Sequence, residues 1–164
     1  MSKITLPAIF QNHMMLQREK PIYIWGECSV SAKIRIAFAG AETVTESKDG
    51  TFGVYLPAAC AGENLTLSLY LDEEQTPEIT LTDITLGDIW IAAGQSNMEY
   101  FLRYDAHWNE TRQQSFRRDI RMFNVPRIAF AGQERTLSYS GYWFFEQDEA
   151  WASFSAPGYY FARS

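Results

Sequence analysis

Three stretches in the first half of the chain alternate apolar and polar residues with a period of two. They read KIRIAF at residues 33–38, TFGVYL at residues 51–56 and LTLSLYL at residues 65–71. A period of two places every second side chain on one face of a β-strand, so each stretch predicts a strand with one buried face. The pair Asp49-Gly50, directly before the second stretch, is a strong signal for a tight hairpin turn. Strands at this spacing, without a long helical period, predict that residues 1–84 form a small antiparallel β-sandwich.

The pattern changes near Leu86, where the chain becomes continuously apolar. Residues 89–93 read IWIAA, which is expected for a strand covered on both faces in a parallel sheet. A polar, helix-like stretch at 109–119 and the short apolar string at 120–126 then follow. Strand, helix and strand in this order are the opening of an α/β unit. Residues 85–164 are therefore predicted to form the incomplete N-terminal part of an α/β domain.

The apolar run leads directly into the string GQSNM at residues 94–98. A nucleophilic serine must be exposed, held near a base and given donors for the oxyanion that forms on attack. The carboxyl end of a buried parallel strand exposes such a residue. Gly94 permits a tight turn, and the N–H of Ser96 could donate to an oxyanion with support from a helix dipole. A serine at this position can equally be only the N-cap of the next helix, so both interpretations stay open at this point.

Composition and charge exclude several classes of function. The chain has 164 residues and 46% hydrophobic residues, enough for one domain or two small ones. Its formal net charge of −6 argues against a nucleic acid or an anionic membrane as partner. No apolar run approaches the roughly 20 residues that a membrane helix needs. The N-terminal residues lack the features of a secretory signal, which predicts a cytoplasmic location, or a periplasmic or secreted one if a leader has been removed.

The string GDIWIAAGQSNME at residues 87–99 resembles the first conserved block of the SGNH/GDSL hydrolases. The variant is the one carried by sialate O-acetylesterases and related acetylxylan esterases. Other strings resemble that family in the same order, and together they extend over essentially the full chain. They are LPAIFQNHMMLQREKPIYIWG (6–26), DGTFGVYLPAACAGENLTLSL (49–69), IRMFNVP (120–126) and FSAPGYYFAR (154–163).

The resemblance implies a β-sandwich domain followed by the first part of a flavodoxin-like SGNH-hydrolase domain. The implied reaction is the removal of acetyl groups from an O-acetylated sugar with Ser96 as nucleophile, and without a metal or an organic cofactor. Gly94, Gln95 and Asn97 are implied to support the turn and the oxyanion, and Gln95 stands where most GDSL enzymes have aspartate. The family completes its site with a further glycine and asparagine and with an Asp-x-x-His motif near the C-terminus. This sequence contains no Asp-x-x-His.

The two histidines do not match the family's catalytic position. His13 is expected to have a structural role at the surface, and His107, close to Asp105, matches no catalytic residue of the family. The chain alone is therefore expected to be inactive or incomplete. It should self-associate or require a partner chain that carries the rest of the catalytic domain. The alternative function is a non-catalytic carbohydrate-binding or interaction module based on the β-sandwich.

An aromatic group near the C-terminus allows two interpretations. Its rings could stack against a sugar, because they offer apolar faces, or they could form part of the core. Core packing is the simpler interpretation. The residues concerned are Trp143, Phe144, Phe145 and Trp151.

Overall fold

The computed structural model describes residues 3–114, 116–125 and 141–164. The chain divides into two compact units. The first comprises residues 1–89 and 125–142, and the second comprises residues 90–124 and 143–164. Each unit has its own set of buried side chains among the described residues.

The described part of the first unit consists of β-strands. They are β1 (Ile4–Thr5), β2 (Met15–Gln17), β3 (Ile22–Cys28), β4 (Lys33–Phe38), β5 (Ala41–Glu46), β6 (Thr51–Leu56), β7 (Gly62–Leu71) and β8 (Ile79–Gly87). One sheet has the order β1-β3-β6 and the other has the order β2-β8-β7-β4-β5. Neighbouring strands in both sheets are antiparallel, apart from the parallel pair β2 and β8. The packing of these sheets as a sandwich stays a prediction.

The three period-two stretches form β4, β6 and the larger part of β7, as the sequence predicts. Ile34 and Ile36 of β4 and Leu67 and Leu69 of β7 are fully buried. The polar residues between them are exposed or half-buried. Burial of one face on each strand provides the hydrophobic stabilisation of this unit.

The predicted tight turn at Asp49-Gly50 is present. Both residues have positive φ angles, 53° and 79°, which match a type I′ turn. The backbone groups of Lys48 and Thr51 bond to each other at 2.7 and 3.0 Å. The turn does not join two strands of one sheet, because β5 belongs to the five-stranded sheet and β6 to the three-stranded sheet.

The second unit contains short elements around an aromatic core. The elements are 3₁₀ helices at Ser96–Glu99, Leu102–Tyr104 and Glu149–Ser153, helices α1 (Trp108–Thr111) and α2 (Ala156–Arg163), and strands β9 (Met122–Phe123) and β10 (Trp143–Phe144). The buried cluster consists of Leu102, Ile120, Met122, Phe144, Trp151, Ala156 and Tyr159. Phe144 and Trp151 therefore pack in the core, which is the simpler of the two interpretations of the C-terminal aromatics.

Within the described residues, the segment 89–93 does not form the buried strand that its composition predicts. The segment has no regular secondary structure and pairs with no described strand, and Trp90 and Ile91 are 72% and 89% exposed. Ala92 lies against Gly158 of α2, and the Trp90 ring packs edge-on against Phe161 at 5.2 Å. The apolar composition indicates burial, but a strand also needs neighbours that pair with its backbone, and the described residues provide none.

The predicted strand-helix-strand unit that begins at residue 89 is also not observed among the described residues. Only one turn of the helix expected at 109–119 is present, and this turn is α1. Isolated short helices are poorly stable in water. Strand β9 lies in the expected apolar string but pairs antiparallel with β10. No helix among the described residues is both long and apolar enough to cross a membrane.

Candidate active site

The glycine-serine turn opens a 3₁₀ helix at Ser96–Glu99. Gln95 occupies the N-cap position with extended backbone angles, φ −112° and ψ −150°, and its carbonyl accepts from Met98 N at 2.9 Å. Ser96 is thus the first helical residue, and no side chain caps this helix. The interpretation of Ser96 as an N-cap is therefore wrong. The helix has only one turn, so the dipole support expected for the Ser96 amide is small.

Ser96 and Asn97 are exposed, and their polar groups are available to a ligand. The Ser96 hydroxyl and the Asn97 side chain make no hydrogen bond to any described residue. Their backbone N–H groups are at the start of the helix, where intrahelical acceptors are lacking. Asn97 contributes to the turn through its carbonyl, which accepts from Tyr100 N at 3.3 Å.

Close packing against Met98 favours glycine at position 94. A Cβ at this position would lie 3.2 Å from the Met98 Cβ, tighter than most contacts of real side chains. The backbone of Gly94 has no positive φ, so the turn does not depend on glycine's left-handed conformations. Met98 is held in turn by Ser155, whose hydroxyl donates to the Met98 sulfur at 3.1 Å. Gly94, Met98 and Ser155 thus form the support beneath the Ser96 turn.

Helix α2 is fixed to the segment that follows Ser96. Ser155 caps α2 by accepting from Gly158 N at 3.3 Å, and Pro157 lies in the first turn. Ala156 N donates to the Tyr100 carbonyl at 2.8 Å. These bonds bring the first turn of α2 beside the serine turn.

An open cleft of about 420 Å³ lies at this place in the second unit. Its lining residues are Ser96, Asn97, Glu99, Tyr100, Tyr104 and Pro157. The cleft combines a hydroxyl, an amide and a carboxylate with two aromatic rings, which is the composition of many small-molecule sites. Of the predicted site residues, Ser96 and Asn97 line this cleft, and Gly94 and Gln95 hold the turn from which they project. Glu99, Tyr100 and Tyr104 were not predicted, although all three follow Ser96 within eight positions.

Neither histidine lines the cleft. The His107 ring lies 3.3 Å from Glu110, and its side chain is 72% exposed. Asp105 accepts from the backbone N of His107 at 2.9 Å and from the Tyr160 hydroxyl at 2.9 Å, so it does not orient the imidazole. His13 belongs to the first unit, where its Nδ1 lies 2.6 Å from Asp83.

A buried polar cluster stabilises the second unit and was not predicted from the sequence. The Glu146 side chain is 2% exposed and pairs with the Arg163 guanidinium at 2.5 Å. Its carboxylate also accepts from the Tyr159 hydroxyl at 3.1 Å and from Arg117 N at 2.8 Å. Burial, with a further contribution from the Glu146 charge, raises the pKa of Tyr159 to about 12. No group of three or more His, Cys, Asp or Glu side chains in the described ranges could hold a metal ion.

Comparison with known proteins gives a structural match and no sequence-based one. No family model matches the sequence, and no curated protein matches it in a sequence comparison. A crystal structure of a carbohydrate acetylesterase from Xanthomonas citri matches with a TM-score of 0.88 and 30% sequence identity. The match covers 98% of this chain and 36% of the acetylesterase, so the chain spans about a third of that protein's length. Nearly the whole chain is thus structurally similar to part of a carbohydrate acetylesterase.

Proposed function

We propose that this chain contributes the nucleophile of a carbohydrate O-acetylesterase, and that the nucleophile is Ser96. The observation that carries the proposal is the position of Ser96 in the cleft, exposed and without a hydrogen bond to any described residue. The similarity to a carbohydrate acetylesterase supports the same reaction class. The substrate is an O-acetylated sugar, either an acetylated sialic acid, as for sialate O-acetylesterases, or acetylated xylan. The enzyme class is the SGNH/GDSL serine hydrolases.

The reaction proceeds in two steps. The Ser96 oxygen attacks the acetyl carbonyl and loses its proton to a general base, and the C–O bond to the sugar then breaks. The sugar oxygen takes the proton and leaves as an alcohol, and the acetyl group stays on Ser96. Water then attacks the acetyl-serine, which releases acetate and returns the proton to the Ser96 oxygen.

The oxyanion would be bound by backbone donors of the serine turn. The N–H groups of Ser96 and Asn97 bond to no described residue and lie beside the nucleophile. Gly94 permits the contact with Met98 that fixes the turn, and Gln95 closes it through its carbonyl. Because these donors are held by the backbone, they need little reorganisation when charge develops on the substrate oxygen.

The general base is proposed to lie outside these 164 residues. Neither histidine lines the cleft, and the sequence has no Asp-x-x-His motif. A further segment or a partner chain would supply the base, its orienting carboxylate and the strands that pair with residues 89–93. In this proposal residues 1–84 are the β-sandwich domain and residues 85–164 are the first part of the SGNH domain.

Labelling with a fluorophosphonate probe tests the proposal. The probe phosphorylates an activated serine once, so it requires no turnover. We expect slow modification of Ser96, located by peptide mass spectrometry, and no such modification in Ser96→Ala. Ser29→Ala, which removes an exposed serine of the first unit, is the matched control and should be labelled like the wild type. Labelling of Ser96 no faster than that of Ser29 would overturn the assignment.

A non-catalytic carbohydrate-binding module is the second candidate. It is favoured by the lack of a histidine in the cleft, since a serine without a base is a weak nucleophile. Sugar binding that survives Ser96→Ala, together with absence of labelling in the wild type, would support this function instead of hydrolysis.

A further inference from the structure

Two tyrosine rings line the same cleft as Ser96 and are exposed to solvent. Tyr100 is 44% exposed and Tyr104 is 62% exposed. They lie four positions apart, on the segment that leads from the serine turn to the second 3₁₀ helix. Exposed aromatic surface near a polar reactive group is characteristic of ligand sites.

Both rings are held in place although they are not buried. The Tyr100 hydroxyl donates to the backbone carbonyl of Tyr104. The Tyr104 ring stacks near Phe101, with centroids 6.1 Å apart and planes inclined by 25°. The guanidinium of Arg103 lies 4.9 Å from the Tyr104 centroid and is itself bonded to the Ser153 hydroxyl. Ring positions fixed before binding reduce the entropy lost when a ligand is ordered against them.

We propose that Tyr100 and Tyr104 form the sugar subsite and stack against the pyranose ring that carries the acetyl group. This inference rests on the proposed function and adds the residues that select a pyranoside as substrate. The face of an aromatic ring packs against the apolar C–H face of a pyranose. The hydroxyls at the edge of the sugar then reach polar groups around the aromatic ring. A pyranose on these rings would be bound in the cleft that Ser96 lines, so its acetyl ester could reach the serine oxygen.

Binding can be measured without hydrolysis by NMR titration of the chain. The probes are an acetylated methyl β-xyloside and an acetylated methyl sialoside, titrated in separate arms. We expect Tyr104→Ala to weaken xyloside or sialoside binding about tenfold, which is at the lower end of the effect of removing a ring that stacks on a nucleobase. Tyr55→Ala is the matched control, because Tyr55 is 64% exposed and belongs to the first unit. It should leave the dissociation constant unchanged.

Conservative variants separate stacking from folding. Tyr104→Phe keeps the ring and should bind within about twofold of the wild type, whereas Tyr104→Leu keeps apolar bulk and should bind like Tyr104→Ala. Tyr100→Phe removes the bond to the Tyr104 carbonyl and should weaken binding by about fivefold, since a hydrogen bond contributes about 1 kcal/mol. Equal binding by the wild type and Tyr104→Leu, or equal losses in Tyr104→Ala and Tyr55→Ala, would overturn the subsite.

Fluorophosphonate labelling and the ring variants together distinguish the two proposals, because labelling reports on the Ser96 oxygen and the ring variants report on the sugar subsite. Ring-dependent binding without fluorophosphonate labelling of wild-type Ser96 would support the subsite and reject the hydrolytic function. Labelling of Ser96 without ring-dependent binding would support the hydrolytic function and reject the subsite.

Discussion

Replacing Arg163 by methionine should strongly destabilise the second unit. The variant keeps the length and apolar stem of the side chain but removes the charge that pairs with Glu146 at 2.5 Å. The Glu146 side chain is only 2% exposed, so its carboxylate would remain buried without its counter-ion. Removing one partner of a buried ion pair costs about 3–5 kcal/mol of unfolding free energy. We expect the lower end, about 3 kcal/mol, because the bonds from Tyr159 and Arg117 N remain.

Urea unfolding followed by tryptophan fluorescence measures this loss. Trp151 reports on the relevant core, because its ring lies 5.5 Å from Tyr159. Arg117→Met is the surface control, since the Arg117–Asp119 pair is exposed on both sides, and its unfolding midpoint should change little. Adding Glu146→Gln to Arg163→Met removes the buried charge and should restore part of the stability. A loss below about 1 kcal/mol in Arg163→Met, or a double variant less stable than the single one, would refute the reasoning.

Three further outcomes are expected. The isolated chain should turn over p-nitrophenyl acetate very slowly, because neither histidine lines the cleft of Ser96, and a robust turnover that is lost in Ser96→Ala would contradict this. The chain should self-associate at micromolar concentration through residues 89–93, whose Ile91 is 89% exposed. In sedimentation velocity, Ile91→Lys should shift the population toward monomer. The control Val44→Lys changes a residue that is 57% exposed in the first unit, and it should leave the population unchanged. A monomeric wild type would contradict the expectation. The Tyr159 pKa of about 12 lies above its unfolded value of 10.0, so its proton stabilises the fold below pH 10, and this contribution should be lost as the pH rises from 10 to 12. Tyr159→Phe should remove that part of the pH dependence, and an identical alkaline profile for both proteins would contradict the assignment.

The strands of the first unit could be predicted because their signal is local. Alternation in β4 and β7 follows from the geometry of a strand with one buried face, and each strand finds neighbours within the described chain. The turn at Asp49-Gly50 has a local signal because few residues tolerate positive φ. The cap at Ser155 has a local signal because few side chains bond to the first helical amides.

The conformation of residues 89–93 could not be predicted from their composition. An apolar run indicates that burial is favourable, but the strand state also depends on partners elsewhere. Within the described residues these partners are lacking, so the segment stays irregular and exposed next to α2. The same dependence explains why β9 joins β10 in an antiparallel pair instead of continuing a parallel sheet.

In the candidate site, Ser96 could be predicted from the sequence, and the residues around it could not. Ser96 could be recognised because glycine, serine and two amides follow an apolar run in one short string. The link between the Tyr100 hydroxyl and the Tyr104 carbonyl depends on two consecutive 3₁₀ turns, which have no periodic signal. The Glu146–Arg163 pair joins residues 17 positions apart, and charged residues are rarely buried, so neither side chain marked the core.

The nucleophilic role of Ser96 is tested most directly by locating the acetyl group that p-nitrophenyl acetate transfers to the chain. This ester has a good leaving group, so acetylation depends less on the missing base, and the acetyl-serine should persist because its hydrolysis also needs that base. Peptide mass spectrometry should find acetyl on Ser96 at short times, well above the level on exposed Ser29, and none at that position in Ser96→Ala. Equal acetylation of Ser96 and Ser29 would contradict the assignment of Ser96 as the nucleophile.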